Sequence, residues 1–394
     1  MPVQRALCRH FGPCGGCDWQ HLTYPEQLAR KHGELSELLR ISLGCEAPAV
    51  GPVIGMTVDD TGWPWRFRQK ASFVFGESPD RRSSVIGHYA AQSRRVIPIV
   101  ECPVHASRAN RIAFALHQHL ARARVSAAGP TLRGILRHLI VRTNHDESEA
   151  VAMLVVTRND KTLRTPIRAL LAGPDKPDGF FLNIHDRPGP FMVGRETIKI
   201  AGRSHVRETV GGVSFLISPT AFFQTNVEAA NVLLSLVLAH TPPAPVLSVL
   251  DLYSGSGLFT MPLLARGHYV TAVEDNQQAM SDAETNLRLN RLPTDRVRLY
   301  AGRVEDALDR LDRDRFDLVI LDPPRQGCPP EVLQTVFAGI RPDRAIYVSC
   351  SPEALAAELP MITGEGYVIR SVDPVDMFPH TTHIETVAVL ENHR

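Results

Sequence analysis

The sequence predicts a mixed α/β protein whose C-terminal half is a doubly wound, mainly parallel sheet, preceded by a β-rich central region and a cysteine-rich N-terminal segment. Three observations carry this. Apolar strand-sized runs alternate with helix-length segments from residue 218 onward, β-branched residues punctuated by Gly and Pro dominate residues 51–216, and three of the seven cysteines crowd into the first 17 positions. Strand–helix alternation is the mark of a parallel sheet, because each parallel crossover needs a covering element. A chain of 394 residues has room for two or three domains.

Taken in order, residues 1–50 hold Cys8, Cys14 and Cys17 and then a helix over 25–40, with Pro25 at its first position and Leu28, Leu35, Leu38 and Leu39 on one face. Residues 51–216 read as the β-rich domain, with strands at 139–142, 150–156 and 179–184. Residues 217–394 form the α/β domain: strands at 247–252, 269–273, 317–321 and 345–348 alternate with helices after the 255–257 glycines and at 276–290, 329–340 and 352–363. Ligands in such sheets sit beyond the carboxyl ends of the strands.

The net charge of +1 hides an asymmetry. Residues 61–143 carry 14 Lys and Arg against three acids, so this segment is near +11 and the rest near −10. A basic module on a mildly acidic body suits a polyanionic partner, since Lys and Arg displace phosphate counterions. Arg81, Arg82, Arg94 and Arg95 contribute to the excess. Apolar runs fall far short of the ~20 residues of a membrane helix. The N-terminus has no secretory pattern and the cysteine count is odd, so a cytoplasmic protein with no membrane contact and no disulfide framework is expected. A monomer is the expected assembly.

The first α/β strand ends in Asp251-Leu252-Tyr253-Ser254-Gly255-Ser256-Gly257, a tight turn that lets backbone approach a ligand at a helix start. Thr260 stands where a dinucleotide fingerprint would have a third glycine, which disfavours NAD. The second strand ends in Glu274, placed to accept hydrogen bonds from ribose hydroxyls. The combination resembles the S-adenosylmethionine site of the large methyltransferase superfamily.

Asp322-Pro323-Pro324-Arg325 closes the strand at 317–321 and Ser349-Cys350-Ser351-Pro352 closes the strand at 345–348. Arg325 occupies the place where amino-directed methyltransferases carry a base-stacking aromatic, which counts against amine methylation. Cys350 stands just before a helix, where free N–H groups and the helix dipole are expected to lower a thiol pKa. A thiolate there can add to C6 of a uracil and make C5 nucleophilic. The C5 proton must later leave, and Glu385, His380 or His383 is available as base. Cys8, Cys14, Cys17 and Cys102 form a four-thiolate set able to hold a [4Fe-4S] cluster or a zinc ion, and the spacing leaves both open. Cys45 is an alternative ligand for this set but is read first as a structural residue.

Together with Ser218-Pro219 and Phe223-Gln224-Thr225-Asn226, these motifs resemble the RNA uracil-C5 methyltransferase family in order and spacing, over residues 8–390. Arg66-Phe67-Arg68-Gln69-Lys70 stands where that family usually has Tyr-Arg-Asn-Lys. The resemblance implies Cys350 as nucleophile and Glu385 as base. It implies S-adenosyl-L-methionine contacts from Gln224, Tyr253, Gly255, Gly257, Glu274 and Asp322, and a helix at 25–40 packed on the catalytic domain. It also implies that Cys8, Cys14, Cys17 and Cys102 hold a [4Fe-4S] cluster, and that the substrate is a structured RNA, 23S rRNA ahead of tRNA. The small N-terminal β-barrel of some relatives is not expected here.

Overall fold

The computed structural model describes residues 8–78, 83–189, 192–311 and 314–393. It separates into two compact units, one made of Met1–Leu22, Val58–Glu208 and Ile217–Thr220, the other of Thr23–Thr57, Thr209–Leu216 and Ala221–Arg394. Arg81 and Arg82 lie outside the described residues. Among the described residues no helix is long and apolar enough to cross a membrane.

Helix α1 (Tyr24–Leu43) belongs to the second unit. A capping box starts it: the Thr23 hydroxyl accepts from Glu26 N–H and the Glu26 carboxylate accepts from Thr23 N–H. Because the box sets the start, Pro25 falls at the second helical position rather than the first. The buried face carries Tyr24, Gln27, Lys31, Leu35 and Leu39, a lysine in the middle of an otherwise uncharged stripe.

The first unit is a seven-stranded sheet with two covering helices. Its elements are β1 (Lys70–Glu77), β2 (Ser84–Tyr89), β3 (Val96–Pro98), α2 (Ser107–Arg122), β4 (Leu136–Thr143), β5 (Ala150–Val156), α3 (Arg164–Ala172), β6 (Gly179–Ile184) and β7 (Glu196–Gly202). The spatial order is β3-β2-β1-β4-β5-β6-β7. Only the β5–β6 pairing is parallel, and α3 makes that crossover. Every residue of β5 is buried, with Leu154 and Val156 packing toward α2 and α3 and Met153 and Val155 toward Phe181 and Val206. The chain passes between the units within the hairpin of β8 (Val206–Val210) and β9 (Val213–Ile217). Gly211 and Gly212 at its tip both have positive φ, as a two-residue primed turn requires.

The second unit continues with α4 (Val227–His240), β10 (Ser248–Leu252), α5 (Thr260–Ala265), β11 (Tyr269–Glu274), α6 (Gln277–Leu289), β12 (Val297–Ala301), α7 (Val304–Leu311), β13 (Leu318–Leu321), α8 (Pro330–Gln334), β14 (Arg344–Ser349), α9 (Pro352–Gly364), β15 (Tyr367–Val375) and β16 (Glu385–Asn392). The sheet order is β12-β11-β10-β13-β14-β16-β15. The first five strands are parallel, and β16 runs antiparallel between β14 and β15. The helix expected over 329–340 is not continuous: α8 gives way to a π-helical stretch, Thr335–Ile340. β-branched Thr335 and Val336 and Gly339 are weak helix formers, consistent with the loosened ladder. Leu35 and Leu39 of α1 share a core with Leu355 and Leu359 of α9.

Beneath this core Lys31 meets the segment between β15 and β16. Its Nζ lies 2.6 Å from Asp376 Oδ1 and donates to the carbonyls of Phe378, at 3.1 Å, and His383, at 2.5 Å. Both side chains of the ion pair are fully buried. Removing one partner of such a pair strands a charge in a dry interior. Lys31→Met is therefore expected to lower stability by about 3–5 kcal/mol. Lys31→Met combined with Asp376→Leu should recover part of that loss, read as the unfolding midpoint in urea.

Candidate active site

The carboxyl ends of β10, β13 and β14 lie side by side, and they carry the glycine turn, Asp322 and Cys350. β16 begins at Glu385 and pairs with β14 up to Ser349↔Thr386. Continuing that antiparallel register by one residue sets Cys350 opposite Glu385, residues that are 35 positions apart in the chain. Opposed residues in such a ladder have Cα atoms about 4.5–5.5 Å apart.

Burial pushes the Cys350 thiol up to about 11, and Glu385 and then Asp322 add to the effect while Arg325 opposes it. This reverses the sequence expectation of a lowered pKa. The helix start is present, with Ser351 capping α9 through Ala354 N–H, but desolvation and two acidic neighbours outweigh it. Glu385 is itself held well above the ordinary carboxylate range, first by burial and then by Asp322, with Arg325 opposing. Glu385 Oε2 is buried without a hydrogen-bond partner. Burial thus disfavours the charged form of both the thiol and the acid facing it.

The turn after β10 is held by its own backbone. Tyr253, Gly255 and Gly257 all have positive φ, and a Cβ on Gly257 would stand 2.6 Å from Met261 Cε. Glu274 braces the turn from β11, accepting from Gly255 N–H and Asn276 N–H, both at 2.8 Å. Thr260 donates to Asp251 at 2.5 Å, so its hydroxyl occupies the place where a dinucleotide turn would have glycine. Asp322 is pushed up to about 8 by burial, then by Asp251 and Glu274, and Asp251 to about 7 by burial. Asp251 Oδ1 is buried and unpartnered. A group of buried acids that raise one another fits a cationic ligand with hydroxyls to donate, as S-adenosylmethionine is.

Residues 376–384 link β15 to β16 and form the far wall. His380 sits fully buried at φ +67°, its N–H donating to Gln27 Oε1 at 2.9 Å and its Nδ1 3.4 Å from Gln27 Nε2. Asn226, which caps α4, donates to the Met377 carbonyl at 3.1 Å and ties the Gln224 segment to this link. Gln224 is buried two residues before that cap. A pocket of about 230 Å³ opens on Cys350, lined by Lys31 and Leu35 of α1, Arg325, Glu353 and His383. Asn226 stands in the Phe223–Asn226 motif that the sequence singles out, whereas Lys31 carries no motif. A lysine at helical spacing from Leu28 and Leu35 was the available signal for it.

In the first unit, Cys8 comes within electrostatic reach of Cys14 and Cys17, and these two of Cys102. Burial raises Cys14, raises Cys17 to about 11 and raises Cys102 to about 12; Cys8 contributes to the first two, and Cys17 and Cys14 to the last. Thiols held neutral mainly by burial, and disfavouring one another's thiolate forms, are a donor set whose charge a bound metal centre would compensate. Cys45 is exposed and belongs to the other unit.

The family described as tRNA (Uracil-5-)-methyltransferase matches residues 195–393. An uncharacterised RNA methyltransferase of Gloeobacter violaceus is 34% identical over 98% of this chain and 82% of its own length. One from Halalkalibacterium halodurans is 33% identical over 98% and 83%. The crystal structure of Pyrococcus abyssi tRNA (uracil-54, C5)-methyltransferase in complex with S-adenosyl-L-homocysteine superposes with a TM-score of 0.77 at 25% identity, covering 99% of this chain and 92% of that one.

A thiol at about 11 is a thiolate only in strong base. An ordinary cysteine, near pKa 8.5, reaches its full alkylation rate by about pH 9.5. Iodoacetamide labelling of Cys350 in the free protein, followed on its own peptide by mass spectrometry, should still be climbing there, close to tenfold per pH unit. Glu385→Gln removes a negative neighbour and should move this profile toward lower pH.

Proposed function

We propose, from the premise that this chain belongs to the RNA uracil-C5 methyltransferase family, that it forms 5-methyluridine in structured RNA through a covalent adduct of Cys350 with the target uracil. The observation that supports this reading most is the β14–β16 register, which ends at Ser349↔Thr386 and, continued by one residue, sets Cys350 opposite Glu385. We assign 23S rRNA as substrate, ahead of tRNA, on the resemblance to cluster-bearing relatives, among which ribosomal RNA enzymes and some transfer RNA enzymes both occur. Transfer RNA is the second reading, favoured by the similarity to the archaeal tRNA enzyme. Mapping 5-methyluridine in both RNAs with and without the gene separates them. We place the activity in the cytoplasm, in a monomer.

Residues 217–394 serve as the catalytic domain, 51–216 as the basic RNA-binding domain, and 1–50 as the cluster segment and supporting helix. Gln224, Tyr253, Gly255, Gly257, Glu274 and Asp322 hold the cofactor, with Glu274 at its ribose. S-adenosylmethionine, when bound, supplies an electrophilic methyl group on a positively charged sulfur. That charge would favour the ionised forms of Asp322 and Glu385, which burial raises in the free protein.

The thiol proton of Cys350 is released to solvent, leaving Glu385 free for the later step, and the sulfur pair forms a bond to uracil C6 as the C5–C6 π pair becomes an enolate. C5 is then the carbon to which bound S-adenosylmethionine would give its methyl group, the old bond pair remaining on the cofactor sulfur. Glu385 removes the C5 proton, the freed pair restores the C5–C6 double bond, and the Cys350 thiolate is expelled. His380 is a poorer base here, because Gln27 engages both its backbone and its ring. Arg325 lines the pocket beside Cys350.

Cys8, Cys14, Cys17 and Cys102 are the residues to hold a [4Fe-4S] cluster. When bound, it supplies a four-point brace and a redox-active centre. Protein made without oxygen should be brown with about four irons per chain. Cys102→Ser should bleach it and Cys45→Ser should not, and stoichiometric zinc without iron would contradict the assignment.

Glu385→Gln keeps the shape of the base but cannot accept the proton. The early steps should survive and the last should stall, so the protein should run as a slow covalent band with labelled RNA on a denaturing gel. Cys350→Ala should give no band, alone or with Glu385→Gln. Wild-type turnover by Glu385→Gln would move the role of base elsewhere, and 5-methyluridine formation by Cys350→Ala would remove the covalent route.

A further inference from the structure

Cys102 and His105 stand at the two ends of one tight turn, a C-x2-H spacing closed by His105 N–H donating to the Cys102 carbonyl at 3.1 Å. Asn110, in the first turn of α2, clamps Cys102 from both sides: its Oδ1 accepts from Cys102 N–H at 3.2 Å, and its Nδ2 donates to the Cys102 carbonyl at 2.9 Å. Across the turn, β2 presents His88. One ligand atom from each of His88, Cys102 and His105 lies within 4.8 Å of the other two.

The rings are oriented for this meeting. Phe73 stacks on His88, with centroids 5.6 Å apart, and meets His105 edge-on at 5.0 Å; the two imidazoles are themselves perpendicular at 5.1 Å. A ring N–H of His88 donates to the Ser72 carbonyl, while its Nε2 is buried without a partner, so Nδ1 carries that proton and Nε2 keeps its lone pair. A carbonyl fixing the tautomer of a histidine whose other nitrogen is left open is the usual support of a metal ligand. His105 Nδ1 is likewise buried and unpartnered.

We infer that His88, Cys102 and His105 form a second metal site, a two-imidazole, one-thiolate set for a single divalent ion of the zinc type, with a fourth position left for water. Tetrahedral zinc sets N and S donors about 3.3–3.7 Å apart, a spacing that lies inside the 4.8 Å limit within which the three donors already stand. The Cys102 thiol proton is released to solvent as the metal–sulfur bond forms. The set shares Cys102 with the four-cysteine set, so the two cannot be filled together, and the protein without its cluster is the form that takes the ion. The site goes beyond the methylation reading and does not depend on it.

The test uses the full chain with Cys8→Ser, Cys14→Ser and Cys17→Ser, which cannot hold a cluster, titrated with Co2+ as a spectroscopic stand-in for zinc. One equivalent should bind, with a thiolate-to-cobalt charge-transfer band and tetrahedral visible bands. Adding His88→Ala or His105→Ala should weaken binding at least tenfold, and adding Cys102→Ser should erase the charge-transfer band. Cobalt binding indifferent to the histidines, or no binding by a triple variant with native circular dichroism, overturns the site. Should the triple variant not fold, Cys14→Ser/Cys17→Ser, with too few thiols for a four-cysteine metal, decides by the same criteria. Iron in the wild type is read separately: brown protein with no cobalt binding in the variant sinks this site alone, and iron-free wild type with the cobalt site intact sinks the cluster alone.

Discussion

The ion pair between Lys31 and Asp376 is the constraint on which the active-site edge depends. Residues 376–384 contain no regular structure, yet they must return the chain from β15 so that β16 enters the sheet in a single register. A lone ammonium from α1 gathers the Asp376 carboxylate and two carbonyls of that link. Gln27, one helical turn earlier, takes the backbone and ring of His380. The link is therefore shaped by a helix more than 300 residues away in the chain. A slip of one residue in β16 would turn Glu385 to the opposite face of the sheet.

The site beyond the strand ends is organised around unfavourable electrostatics. Asp251, Glu274, Asp322 and Glu385 are raised mainly by burial, and several also by one another. Cys350 is raised for the same reason. A pocket that disfavours anions until a cation arrives would keep the thiol quiet in the free protein. Reactivity would then be gained on loading rather than carried all the time.

Much of the α/β half was legible because buried parallel strands read as short apolar runs and because a glycine turn, an acid and a proline pair sat where strands end. Strands 150–156 and 179–184 were equally plain. Tertiary pairing was not. Nothing near Lys31 announces Asp376, and periodicity does not reveal that β16 inserts antiparallel beside β14. The thiol shift was read with the wrong sign because a helix start is visible in sequence, whereas desolvation and the facing carboxylates exist only once the sheet has formed. His88 gave no local signal either, since its partners come from the other side of a turn.

The insertion of β16 has a consequence for the chain while it is being made. β15 is synthesised first but has no place in the sheet until β16 arrives to sit between it and β14. A nascent or prematurely stopped chain lacking β16 would expose an open strand edge and leave Cys350 without its opposite residue. In the proposed scheme the nucleophile is made before the group that resolves its adduct, but the wall that shapes its pocket is completed only by the last strand. Incomplete chains would thus be recognisable to quality control by their unpaired edge, and poorly equipped to trap themselves on RNA.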